Sequence, residues 1–262
     1  MHSDSNARLI SERRRLSRRT LLGRIGAGLS AYALSTGPLA GASDPTRELP
    51  SGIGTLPDFL GPLPQRHLGR KRPLSAEEKT ARDIIAATPK GPRPYDVAGF
   101  FLSIASGETR PEWKPYMGGW PDRWNPLIVE FFGATETQPD GDETAWCAAF
   151  VNWCYLQAGW DAPTHSASSG SFRCCGTATD KPNPGDIVVF RDVGSEDACH
   201  GRGHVGFFVK ERGDFIEVLG GNQIDRHDGS HAISSKALPR KGKVLVLHSY
   251  RTKPPQQEVK SN

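Results

Sequence analysis

Between residues 75 and 158 the apolar positions fall at helical spacings, whereas after residue 187 they gather into short runs separated by glycines and charges. Ser75-Ala76-Glu77-Glu78 supplies a capping-box start, Ala81, Ile84, Ile85 and Thr88 follow at helical spacing, and Pro89 closes the helix. Shorter helices are expected over Tyr95 to Ile104 and Trp124 to Phe132, where Leu127, Ile128, Phe131 and Phe132 share one side. The strongest helical pattern runs from about Ala145 to Ala158: Cys147, Phe150, Val151, Cys154 and Ala158 repeat at three- and four-residue steps and predict one buried face. Strand-like runs follow at Ile187 to Phe190, Val205 to Val209, Phe215 to Leu219 and Val244 to His248. Helices first and strands afterwards predict an α+β domain with an antiparallel sheet. No internal repeat interrupts it, and Ser166 to Ser171 is the one low-complexity candidate.

A chain of 262 residues suits one ordinary domain with extra segments at its ends. Residues 43–73 carry Pro45, Pro50, Pro57, Pro62, Pro64 and Pro73 without a sustained apolar period and read as a tether; the domain is expected over 74–252, and 253–262 as a polar tail. Residues 1–42 contain an arginine pair, Arg18-Arg19, then a modestly apolar stretch rich in glycine and alanine, then Ala40-Gly41-Ala42. This resembles a twin-arginine export signal. Arg24, Gly26, Gly28, Gly37 and Pro38 make the stretch a poor bilayer-spanning helix and a better cleavable one, so the expected location is periplasmic or secreted, with no stable membrane insertion after cleavage.

Charge sharpens this division. The formal net charge is +4, but residues 1–42 hold seven arginines and two acids, and without them 26 basic residues face 27 acidic ones. A near-neutral remainder lacks the clustered basic face that nucleic acid requires, so DNA and RNA are excluded as partners.

Five cysteines, an odd number, leave at least one thiol free even in an oxidising compartment. Thr144 is a candidate N-cap, which puts Cys147 in the first helical turn, where unpaired backbone amides and the macrodipole converge. A thiol there is expected to be acidified, and the same amides can serve an oxyanion. Cys154 lies two turns further on, about 10 Å away at 1.5 Å per residue, too far for a disulfide with Cys147, and reads as a core thiol. Gly203-His204-Val205-Gly206 offers a base at a strand edge, its flanking glycines allowing close approach, and Asn222, just past the strand ending at Leu219, is placed to orient the imidazole.

Glu143-Thr144-Ala145-Trp146-Cys147-Ala148-Ala149-Phe150-Val151-Asn152-Trp153-Cys154, Pro184-Gly185-Asp186-Ile187-Val188-Val189-Phe190, Gly203-His204-Val205-Gly206-Phe207 and Gly220-Gly221-Asn222-Gln223 resemble the ordered motifs of the CHAP family of cysteine, histidine-dependent amidohydrolases and peptidases. More narrowly, they are similar to a bacterial and phage subgroup with a Trp-Cys-Ala-Ala-Phe-Val-Asn-Trp-Cys helix and a Gly-Gly-Asn-Gln turn. The resemblance runs from about Asn125 to Tyr250. It implies a papain-like α+β core, with the nucleophile at a helix N-terminus packed on an antiparallel sheet, and peptidoglycan amide bonds as the substrate class. Carried over by position, Cys147 is the nucleophile, His204 the general base and then acid, and Asn222 the orienting residue; Trp146, Gly203, Gly221 and Gln223 are the expected substrate contacts. No cofactor or metal is implied. Many members carry a glutamate two positions before that asparagine, where this chain has Gly220.

Alternatives stand beside this reading. Gly220 motivates a non-catalytic wall-binding module of the same fold. Cys174, Cys175, Cys199 and His200 have the ligand types of a zinc site without paired Cys-x-x-Cys spacing, and a disulfide from Cys199 to Cys174 or Cys175 is the better expectation. His200 is a second candidate base inside the polar stretch between Phe190 and His204, which either covers the cleft or forms a surface loop. Trp113, Tyr116, Trp120 and Trp124 serve either core packing or stacking on sugar rings. The sequence leaves open the oligomeric state, the bond cut, and whether the target wall is the producer's own.

Overall fold

The computed structural model describes residues 71–252 except 92, 197 and 225–228. The expected export signal, nearly all of the tether and the polar tail lie outside the described residues. Of the tether, residues 71–73 are described, and Lys71 pairs with Arg123 in an isolated bridge.

Among the described residues four α-helices precede the sheet: α1 Ser75–Ala87, α2 Pro94–Ala105, α3 Pro126–Phe131 and α4 Cys147–Gln157. The α1 start lies one residue before the expected one. Leu74 is the N-cap, and its amide donates to the Glu77 carboxylate at 2.6 Å, which Arg123 also grips at 2.8 Å. In α4 every residue from Cys147 to Tyr155 is buried, not one face alone. Its sequence is apolar nearly all round, and a helix of that kind is covered on all sides. Asn152, its one strongly polar interior residue, accepts from Thr164 N–H at 3.0 Å and donates to the Ser166 carbonyl at 3.1 Å. The buried amide thus ties the loop after the helix to the helix itself.

The sheet has six strands in the order β1-β6-β2-β3-β4-β5: β1 Thr177–Thr179, β2 Ile187–Asp192, β3 Gly203–Arg212, β4 Phe215–Ile224, β5 His231–Pro239 and β6 Leu245–Thr252. All neighbours are antiparallel. The fold is thus the expected α+β class, with helices packed on an antiparallel sheet. Two strands were not expected, the short edge β1 and the nine-residue β5.

The strands bury both faces, which explains the unbroken apolar run Ile187-Val188-Val189-Phe190. Ile187, Val189, Val205 and Phe207 join α2, α3 and α4 in the main core, whereas Val188, Phe190, Phe208, Val218 and Leu238 form a second cluster on the other face. That second face is covered because the sheet curls. β5 and β6 have three strands between them, yet Leu247 N–H donates to the Arg240 carbonyl at 2.8 Å and Lys241 pairs with Val246. Among the described residues no helix is long and apolar enough to cross a membrane.

Candidate active site

Cys147 is the first residue of α4, but Thr144 does not cap that helix. Trp146 stands at the N-cap, and the Thr144 hydroxyl instead accepts from the Asp140 amide at 3.1 Å, closing the preceding turn. The first intrahelical bond is Phe150 N–H to the Trp146 carbonyl at 2.9 Å, so the amides of Cys147, Ala148 and Ala149 have no partner in the ladder. Cys147 and His204 line one cavity of about 370 Å³, together with Ser168, Arg202, Asn222 and Lys236. They are close neighbours, because the Cys147 sulfur accepts from the backbone amide of Val205, the residue after His204 on β3.

Both groups are nearly sealed, Cys147 at 3% and His204 at 7% exposure. Burial therefore governs their ionisation and overturns the expected acidification. It pushes the Cys147 thiol up to about 11, against the amides of Val205, Ala148 and Cys147, which favour the thiolate. Burial first, and the charge of Lys236 second, pushes His204 down to about 4. At neutral pH the pair rests as thiol and imidazole.

The structure brings Asn222 into the cavity but not to His204. Its side-chain oxygen makes a short hydrogen bond with His231 Nδ1, and its backbone is left-handed, φ 59°, at the irregular register between Gly220 and Gln223. His204 Nε2 is buried and makes no hydrogen bond among the described residues. A side chain at position 220 would begin beside it, since a Cβ built on Gly220 lies 3.5 Å from that nitrogen. Position 220 therefore adjoins the base, and its glycine supplies no carboxylate.

The expected substrate contacts divide. Gly203 and Gln223 line the cavity, although Gln223 is held by the Val218 carbonyl at 3.2 Å and the Ser234 hydroxyl at 3.1 Å. Gly203 is glycine for packing, because a Cβ there would stand 2.1 Å from the Phe190 carbonyl oxygen. Trp146 is fully buried between Phe131 and Phe150, which removes its ring from the cavity surface. Gly221 backs onto that ring: a Cβ would lie 2.3 Å from Trp146 Cζ3. Gly221→Ala is accordingly expected to lower stability by about 1–3 kcal/mol, the usual cost of overpacking a dense core, read from the denaturant midpoint. An unchanged midpoint would mean that the indole can move aside.

Other candidates fall away from the site. His200 is exposed and does not line the cavity. Cys174 and Cys199 form a disulfide, which removes two ligands from the zinc alternative, and Cys154 and Cys175 are free buried thiols. Trp113 and Tyr116 pack against the core, Trp120 donates to the Pro115 carbonyl at 2.7 Å, and none of the four aromatics, Trp124 included, lines the cavity.

Sequence reasoning missed His231 and Lys236, both on β5 and both lining the cavity. Their strand mixes polar and apolar residues without a strong period, and only Gly229 before it and Pro239 at its end mark its bounds.

No curated protein and no solved structure matches the chain. The stretch that does match a known family begins in the turn before α4 and ends at Asn222, short of β5 and narrower than the motifs alone suggested. Residues 139–222 match the family model of the CHAP domain, a hydrolytic domain whose amidase and peptidase activity is directed in general at peptidoglycan.

Proposed function

We propose that this chain is an exported cysteine hydrolase that cuts peptidoglycan amide bonds, as an N-acetylmuramoyl-L-alanine amidase or a peptide-stem endopeptidase. The observation that supports the reading is that Cys147, at the N-terminus of α4 with the Val205 amide on its sulfur, and His204 line one cavity. Because burial holds both groups neutral, His204 takes the thiol proton as the sulfur attacks the carbonyl carbon, not beforehand. The first-turn amides of α4 that the helix ladder leaves free receive the developing oxyanion. His204 then gives its proton to the leaving amine. Water, deprotonated by the same imidazole, hydrolyses the thioester and frees Cys147.

The part given to Asn222 changes in this reading. With its oxygen engaged by His231, it shapes the wall of the cleft, and Cys147 and His204 work as a pair without a carboxylate at position 220. The twin-arginine pattern of residues 1–42 supports export to the compartment that holds the polymer.

Mass-resolved analysis of what the mature chain releases from purified peptidoglycan, with the thiol kept reduced, tests the proposal. Free stem peptides identify the amidase, and shortened stems the endopeptidase. No release from walls of several stem chemistries would leave the second reading, a wall-binding module of the same fold, which Gly220 in the glutamate position favours.

A further inference from the structure

One wall of the cavity is built from Ser168 and the 3-10 turn Ser169–Cys174, together with residues 198–203; Ser168, Ser169, Gly201, Arg202 and Gly203 face the cavity. Three kinds of tie join these two pieces. The Cys174–Cys199 disulfide spans a separation of 25 residues. The backbone packs closely, with the Gly201 carbonyl accepting from Gly170 N–H at 3.2 Å and from the Ser168 hydroxyl at 3.1 Å. The third tie is Arg173, a charged side chain only 2% exposed.

Among the described residues Arg173 is held by loop carbonyls. Nη1 donates to Glu196 at 2.9 Å, Ala198 at 3.2 Å and His200 at 2.9 Å, and Nη2 donates to Arg202 at 2.6 Å. Its partners among the described residues are these carbonyls, and its Nε is buried without a hydrogen bond. A buried cation held by one loop's carbonyls depends on that loop staying wrapped around it; once the loop leaves, water must replace those oxygens.

We propose that the Cys174–Cys199 disulfide is a redox latch on this wall: oxidised, it holds residues 198–203 around Arg173 and shapes the cleft beside Cys147; reduced, it lets them go. Both half-cystines are exposed and open to a dithiol reductant. A dithiol thiolate attacks one protein sulfur and forms a mixed disulfide, and its second thiol then displaces the protein. Two electrons and two protons pass to Cys174 and Cys199, and the reductant leaves as a disulfide. Cys175 does not divert the exchange, since burial keeps its thiol protonated to about 11.

The structural half of this proposal stands without the proposed function; its effect on turnover rests on that reading. Amide hydrogen exchange of the full chain, oxidised and after dithiothreitol, with a Cys174→Ser, Cys199→Ser double variant alongside, separates the two. Exchange of the Gly170 amide, which donates to the Gly201 carbonyl, is expected to quicken at least about tenfold on reduction while α4 stays protected, and the double variant should exchange fast without reductant. Where peptidoglycan is cut, the KM of the double variant should rise severalfold with a smaller change in kcat. Unchanged exchange, in protein whose mass confirms reduction, overturns the latch. Loss of protection across the whole domain overturns it too, by making the disulfide a general staple.

Discussion

Replacing Cys147 by alanine should end fragment release from peptidoglycan, by on the order of ten-thousandfold or more, with the fold intact by circular dichroism. The magnitude follows from the mechanism: without the sulfur there is no acyl-enzyme, and the helix amides can only polarise a carbonyl that nothing attacks. Cys147→Ser sharpens the test. It keeps the size and the Val205 contact but offers a hydroxyl whose proton a lone imidazole, lacking a carboxylate behind it, is poorly equipped to take. Both variants should still bind the polymer in a pull-down, as the rest of the cavity wall is untouched. Release retained by Cys147→Ala would move the chemistry to another group. Cys154 offers little there, being 0% exposed in the core with its thiol pushed well up by burial.

Much of this site was legible because its parts are local. A nucleophile at the start of an apolar helix and a histidine opening a strand are patterns of a few residues, and strands β2, β3, β4 and β6 announce themselves by runs of Val, Ile, Leu and Phe. What was not legible depends on partners distant in sequence. Thr144 has the chemistry of a cap, but the Asp140 amide took its hydroxyl first. The expected acidification of Cys147 follows from the helix terminus alone; burial against β3 reverses it, and no spacing reports burial. Asn222 sits where the motif puts it, yet β5, whose composition hardly marks it as a strand, presents His231 to it before His204 can claim it. The same strand brings in Lys236, the positive charge that helps keep the base neutral.

That electrostatic inversion has a measurable consequence at the thiol. With the Cys147 thiol protonated to about 11, its alkylation by iodoacetamide at pH 7 should run roughly 100-fold slower than that of an ordinary cysteine near 9, each unit being tenfold in thiolate. With His204 neutral down to about 4, hydrolysis should keep its base well below pH 6. Stability follows the same group. The unfolded imidazole gains its proton near 6.5 and the folded one only near 4, so the unfolded state binds more protons between them and stability falls as pH drops through that window. The loss is about 3 kcal/mol when complete, and His204→Gln should remove that share of the pH dependence. Gly220→Glu should reverse the inversion. A carboxylate on a side chain whose Cβ starts 3.5 Å from His204 Nε2, admitted by a small shift of the Gln223 amide that this Cβ would meet at 2.9 Å, favours the imidazolium and, through it, the thiolate. Alkylation of Cys147 at pH 7 should then quicken at least about tenfold, whereas Gly220→Gln, equal in size but uncharged, should leave it slow. Equal rates in the two variants would show that the side chain at 220 does not reach His204 and that burial alone, not the missing carboxylate, sets the reactivity of this cysteine.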